Sequence, residues 1–147
     1  LLSLVRMLDD AMNNTSLILL FEFNGKKLLF PGDAQIENWN HALHDAPDAK
    51  KNRALLAKTD FYKVGHHGSL NATPRSLWNL FEKKGPASKP GRLRSMMSTR
   101  SGKHGSTAND TEVRRDKLVT ALKGESDLKD TQSLRKKDGL SHVVVIE

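Results

Sequence analysis

Two short segments of this sequence place a side chain capable of metal binding or acid–base chemistry in a glycine turn that follows an apolar run. In residues 28–34, Leu-Leu-Phe-Pro-Gly-Asp-Ala, the carboxylate of Asp33 comes just after the hydrophobic stretch. In residues 61–69, Phe-Tyr-Lys-Val-Gly-His-His-Gly-Ser, the imidazoles of His66 and His67 do the same. Strands hold the backbone rigidly, and glycine lets a turn approach a ligand closely. Carboxylate oxygen and imidazole nitrogen together suit zinc, manganese or iron.

Each segment taken alone also has an ordinary explanation. A Gly-Asp pair after a strand is more often only a turn, and a His-His pair more often closes a loop than binds a metal. Adjacent side chains in an extended segment point to opposite faces, so we do not expect His66 and His67 to bind the same ion. We assign His66 as the ligand and give His67 a substrate-side or supporting role. The reverse assignment stays open.

The elements that must position these residues follow from the hydrophobic pattern. Two apolar runs, 17–23 and 26–30, flank Asn24-Gly25, which supplies the positive φ angles of a two-residue hairpin turn. Helices and strands then alternate, which indicates an α/β layered fold in a single domain over residues 1–147. The predicted helices cover residues 1–12, 34–43, 52–58, a segment opened by Thr73-Pro74, and 112–123. Besides the hairpin, the predicted strands cover residues 60–64, 93–98 and 142–146.

Composition limits the function classes. The 147 residues contain no cysteine, which excludes disulfides and thiolate metal sites. The net charge of +7 favours anionic partners such as phosphates or nucleic acid, although ordinary basic surface charge is the alternative. No apolar run approaches the roughly 20 residues of a membrane span, and we expect a cytoplasmic protein. The first residue is Leu1 and not Met, which predicts a piece of a longer protein.

Together, and in this order, the two segments resemble the metallo-β-lactamase superfamily, and most closely its competence-protein-like branch. In that branch a hairpin leads to a Pro-Gly-Asp-Ala turn, here residues 31–34, and a later strand leads to Lys-Val-Gly-His-His-Gly-Ser, here residues 63–69. The resemblance spans roughly residues 13–124. It implies the C-terminal half of an αββα sandwich. It also implies a site for two divalent ions, zinc before manganese or iron, in which Asp33 bridges both ions and His66 binds one.

One departure from the family is large. The early H-x-H-x-D-H segment that supplies the first metal site is absent. The nearest imitation, His41–Asp45, has its histidines three residues apart on a predicted helix, and we interpret it as a solvated helix end. Asp33 and His66 are only two ligands, whereas tight metal binding needs three or four. The missing ligands must lie upstream of Leu1, or the chain has no catalysis of its own, and we expect the fragment alone to be inactive.

Further candidates surround these motifs. Ser69 and His67 are assigned to the substrate side of the site. His104, on a long polar loop over residues 99–110, joins them as a substrate contact or proton donor, although an exposed loop histidine is the alternative. The best candidates for phosphate contacts flank this loop: Arg92, Arg94 and Arg100.

Two functional hypotheses result. The first is a metal-dependent hydrolase that uses metal-activated water against a phosphoester or related bond. The second is a non-catalytic basic module that binds polyanions or a structural partner. An H-x-H-x-D-H segment encoded upstream would favour the enzyme. Half of a sandwich should also expose an apolar sheet face or edge, so we expect marginal stability or self-association.

Overall fold

The computed structural model describes residues 15–100, 115–135, 137, 139 and 141–146. The predicted helix over residues 1–12, most of the long polar loop and His104 lie outside these ranges. The described residues form an α/β fold in which helices pack on a five-stranded mixed sheet. The fold class predicted from the alternating pattern is therefore confirmed at the level of α/β.

The strands follow one another across the sheet in the order in which they occur in the chain. The first two are antiparallel, and the remaining three pairs are parallel. The tight turn predicted at Asn24-Gly25 is confirmed, because both residues have positive φ, 48° and 71°. The strands are β1 (Leu19–Phe23), β2 (Lys26–Phe30), β3 (Phe61–Val64), β4 (Arg94–Met97) and β5 (Asp127–Asp130).

The helices connect the parallel strands, as a parallel sheet requires. Of the predicted helices that fall within the described residues, each is present with different bounds, and the one after Pro74 is only four residues long. The helix predicted over residues 34–43 begins at Ile36 and continues beyond Asn40 in a wider helical turn at His41–Asp45. The helices are α1 (Ile36–Asn40), α2 (Ala49–Ala57), α3 (Arg75–Trp78) and α4 (Asp116–Glu125).

One face of the sheet carries the core. Leu29, Tyr62 and Met97, from β2, β3 and β4, point to this face and are fully buried. They form one hydrophobic cluster with side chains from all four helices, among them Trp39, Leu56, Leu77 and Leu122. The helices therefore cover this face of the sheet.

The other face is apolar and much more open at the β1 end. Leu19, Phe21 and Phe23 alternate along β1 and are 44%, 53% and 72% exposed. Their row continues inward, because the Phe21 ring meets Phe30 at 5.7 Å between centroids and Phe30 meets Phe61 at the same distance. An open apolar sheet face was expected of a half-sandwich.

The fifth strand is not where the sequence predicted it. Residues 141–146 have no regular structure, and the strand beside β4 is the polar segment Asp127–Asp130. Pairing to β4 holds this edge strand through its backbone, so its side chains need not be apolar. Ser126 fixes its start, because the Ser126 hydroxyl lies 2.6 Å from the Ser95 hydroxyl in β4.

Candidate functional site

The two chemistry-bearing segments lie at the same edge of the sheet. Because β2, β3 and β4 are parallel, their carboxyl ends are neighbours. Asp33 follows β2, His66 follows β3, and Ser98 follows β4. Open α/β sheets place their ligands at this edge.

The turn that holds Asp33 and the turn that holds His66 are in direct backbone contact. The His66 amide donates a hydrogen bond to the Gly32 carbonyl oxygen at 3.2 Å. Gly65 allows this approach, since a Cβ at that position would lie 2.8 Å from the same oxygen and 3.2 Å from the Pro31 ring. Gly32 has φ of 58°, which glycine adopts without strain. The contact between the turns thus explains Gly65, and the positive φ explains Gly32.

His66 has two unusual features. Its φ of 40° lies in the left-handed region, which costs a non-glycine residue about 1–3 kcal/mol. Its Nδ1 atom is buried and has no hydrogen-bond partner among the described residues. A buried polar atom without a partner calls for a specific explanation, and an absent ion is one such explanation. Strain and an orphaned nitrogen in one residue mark it as a functional candidate.

His67 connects the β3 turn to the end of β4. Its Nδ1 lies 3.0 Å from the Ser98 carbonyl oxygen, a contact that fixes the ring orientation. The premise that this segment is extended was wrong, because His67 also has a positive φ, 53°, and lies in a tight helical turn. The two imidazole rings therefore sit 6.4 Å apart at 62° and do not alternate across a strand.

Hydrogen bonds among buried polar groups support the histidine turn. The hydroxyl of Tyr62 lies 2.7 Å from that of Thr73, and the Gly65 amide also donates to the Tyr62 oxygen. Burial raises the pKa of Tyr62 to about 12, and these two hydrogen bonds only partly oppose the shift. Nearby, the Trp39 indole donates to the Ala72 carbonyl oxygen at 3.0 Å. Tyr62 thus belongs to the core, and it also braces the turn of His66.

Lys63 is a site residue that sequence reasoning missed. It lies in the quoted motif, on the open face of β3, and is half-buried. Its ammonium donates to the Val64 carbonyl oxygen at 3.3 Å, which directs it toward the carboxyl edge. Burial lowers the pKa of Lys63, while the charge of Asp33 opposes the shift. The sequence signal that could have revealed Lys63 is its position next to Tyr62. Side chains alternate along a strand, so Lys63 must lie on the face opposite the buried Tyr62.

The remaining predicted residues fall in different places. Ser69 is half-buried beside the histidine turn and donates its amide to the His66 carbonyl oxygen at 2.9 Å. Arg100 is exposed, two residues beyond Ser98. His41 and His44 are exposed on the wide helical turn after α1, as expected for a solvated helix end. The assignment of His104 stays a prediction, since this residue lies outside the described ranges.

Arg92 and Arg94, which were predicted as phosphate contacts flanking the long loop, do not lie at this edge of the sheet. They lie at and before the start of β4, at the end of the strand opposite Ser98. Arg92 is already engaged, with hydrogen bonds to Asp127 at 2.8 Å and to the carbonyl oxygens of Gly85 and Gly124 at 2.7 and 2.8 Å. Sequence proximity to the loop was misleading because the strand separates its two ends by about 10 Å.

The donor set is compatible with a metal but incomplete. Within the described part of the chain, no cluster of three or more His, Cys, Asp or Glu residues could hold an ion. Asp33 supplies oxygen donors and His66 supplies an orphaned nitrogen, both of which suit zinc or manganese. By their chemistry these two residues could hold part of a metal site, and no third ligand of this kind joins them in the described part of the chain.

Comparison with known proteins adds no relative, since no family model, curated protein or solved structure matches this chain. In the described residues, no helix is both long enough and apolar enough to cross a membrane.

Proposed function

We propose that this chain is the C-terminal half of a metallo-β-lactamase-fold hydrolase that acts on a phosphoester or related bond, with a dinuclear metal site completed by upstream residues. The observation that carries the proposal is the backbone contact between the Pro-Gly-Asp turn and the Gly-His-His turn. Residues 33 positions apart thereby meet at one sheet edge, and the buried Nδ1 of His66 is left without a partner. A metal ligand at His66 would account for the unpartnered nitrogen, and the contact between the turns brings Asp33 to the same sheet edge.

The open sheet face supports the half-sandwich part of the proposal. The apolar row of β1 has no counterpart from the described helices, which pack on the opposite face. Two sheets stacked face to face would bury such a row between them. Upstream residues that contribute a second sheet would cover the row of Leu19, Phe21 and Phe23 and bring further ligands to the carboxyl edge.

Each site residue then has a distinct task. Asp33 would contribute the carboxylate charge that holds two cations close together, and His66 would contribute an imidazole nitrogen. When bound, such a pair of ions supplies activated water and stabilises negative charge on the reacting oxygens. His67, whose ring contacts the Ser98 carbonyl oxygen, would hydrogen-bond substrate beside His66. Lys63 adds a positive charge that favours an anionic substrate.

The test uses the longer protein that includes this chain and its upstream residues. Metal content per chain is measured by elemental analysis, and hydrolysis is followed with bis(p-nitrophenyl) phosphate. Asp33→Asn should lower both the metal content and the hydrolysis rate by at least tenfold, and His66→Gln should lower them nearly as much. His67→Gln should lower hydrolysis more than metal content. Greater metal loss in His67→Gln than in His66→Gln would reverse the assignment of the two histidines.

The matched controls are Asp45→Asn and His44→Gln, which change the same residue types at exposed positions. Both should retain metal and activity. Full metal content and activity in Asp33→Asn would contradict the proposal. A gene with no histidine-rich segment upstream, together with no metal bound by the chain, would also contradict it.

The second candidate is a non-catalytic basic binding module. It is favoured by the absence of any three-residue ligand cluster in the described residues and by the net charge of +7. It predicts binding of a polyanion that neither depends on metal nor changes in Asp33→Asn.

A further inference from the structure

A second region of the molecule has the character of a binding site. A groove of about 430 Å³ runs between the first half of β4, β5 and the extended segment near the C-terminus. Its lining includes the basic side chains of Arg94, Lys123 and Lys129 and the apolar side chains of Leu128, Val143 and Val145. The volume lies in the range of small-molecule sites, roughly 300–1,000 Å³.

The groove has an uncompensated positive charge. Its single carboxylate, Asp127, is engaged by the Arg92 guanidinium at 2.8 Å, so these two charges cancel. Arg92 is held in place by further bonds to the carbonyl oxygens of Gly85, Lys123 and Gly124. By contrast, Arg94, Lys123 and Lys129 form no ion pair with any described residue. Three cationic side chains therefore line the groove with their charge available to a ligand.

The apolar part of the lining is accessible. Val143 and Val145 are strongly exposed, although β-branched side chains are usually buried. A ligand that satisfies the whole groove needs an anionic group for the basic side chains and a flat or apolar group for the valines.

We propose that this groove binds a nucleotide, with its phosphate on Arg94, Lys123 and Lys129 and its base or sugar against Leu128, Val143 and Val145. The nucleotide is either free or part of a single strand, since both present the same chemistry. The groove lies around the start of β4, whereas the candidate metal site follows its end. The inference therefore stands independently of the proposed hydrolase function.

The test measures ADP binding to this chain by titration calorimetry at low salt, because salt screens such contacts. Lys123→Gln/Lys129→Gln should weaken ADP binding by about tenfold or more, since charge-assisted hydrogen bonds to phosphate are lost. Both lysines are exposed, so the change should leave folding intact by circular dichroism. Arg94→Gln should weaken binding independently.

The control is Lys50→Gln/Lys51→Gln, which removes the same charge from exposed positions on α2. Its ADP affinity should stay within about twofold of the original chain. Equal losses of ADP affinity in the two double variants would overturn the proposal. They would show that ADP is attracted by the overall positive charge and not by this groove. No ADP or oligonucleotide binding, or inorganic phosphate bound as tightly as ADP, would overturn it too. A deoxythymidine decamer bound more tightly than ADP, with the same dependence on Lys123 and Lys129, would identify the source as a strand.

Discussion

The carbonyl oxygen of Gly32 accepts a hydrogen bond from the His66 amide and occupies the space that a side chain at Gly65 would need. One atom thus joins the two turns and constrains the residue before the histidine pair. This contact can be tested separately from any catalytic role.

Gly65→Ala should destabilise the chain by about 1–3 kcal/mol, the usual cost of forcing an extra methyl into a packed position. The backbone of Gly65 is extended, so the loss would come from the contact with Gly32 and not from φ strain. Urea denaturation followed by Trp fluorescence gives the free energy of unfolding. Gly124→Ala is the control, because a Cβ there meets nothing within 4 Å. Equal stability of the two variants would refute the tight contact.

The single tyrosine of the sequence, Tyr62, permits a clean spectroscopic test. Its pKa is raised from 10.0 to about 12 by burial, so the folded state favours the neutral phenol. The stabilisation it contributes is fully present below pH 10 and is lost as pH rises from 10 through 12. Absorbance at the phenolate band should therefore rise only near pH 12, or earlier if the chain unfolds. A titration centred near pH 10 in folded protein would contradict the buried position.

Tyr62→Phe should cost about 1 kcal/mol of unfolding free energy, because the Thr73 hydroxyl and the Gly65 amide lose their partner. If the hydroxyl braces the histidine turn, metal retention in the longer protein should also weaken, whereas a purely structural role would leave it unchanged.

Asp60 should contribute to the loss of folding stability at acid pH. Burial raises the pKa of this carboxyl, but hydrogen bonds from Lys83 and from the Lys27 amide, with the Lys83 charge, outweigh burial and lower it below 3.8. The stabilisation that Asp60 contributes is therefore present above pH 3.8. It is lost as the pH falls through the lower pKa that Asp60 has in the folded state. Asp60→Asn should cost about 2 kcal/mol at pH 6, from loss of charge-assisted bonds. The difference from the original chain should shrink below pH 4, while exposed Asp45→Asn should change little at either pH.

The open apolar face should promote self-association. Leu19→Thr/Phe23→Thr replaces two exposed side chains of β1 with a strand-forming polar residue, so the monomer fraction in sedimentation velocity should rise. Ile36→Thr/Leu70→Thr, which changes comparably apolar exposed positions elsewhere, should not raise it. A stable monomer already present in the original chain would count against the half-sandwich.

The sequence predicted the hairpin and the parallel strands β3 and β4 because their signals are local. Asn24-Gly25 encodes its own turn, and the segments 61–64 and 93–97 each contain three hydrophobic residues. β5 was missed because its pairing with β4 is a backbone interaction that side-chain pattern does not record. The segment 142–146 has the composition of a strand but lacks a described partner strand.

For the site, the motifs predicted which turns carry chemistry, and the shared strand direction brought them to one edge. The left-handed backbone of His66 and His67 was not predictable, since histidine rarely adopts it and only the packing against Gly32 explains the turn. Lys63 escaped notice because a lysine in a strand usually faces solvent. The roles of the basic residues were misjudged for a different reason. Arg92 lies near the loop in sequence, but its side chain is committed to the end of α4.

The five strands lie in the sheet in the order in which they occur in the chain, and this order affects how the molecule folds. Each strand synthesised after β1 joins the outer edge of the strands already made, so the sheet can grow vectorially as the polypeptide leaves the ribosome. Premature termination would remove an outermost strand and never one from the middle. Pairing always with the preceding strand avoids the still longer loops that other strand orders would require. Truncated chains ending after Met97 should therefore still present both the Asp33 and the His66 turn.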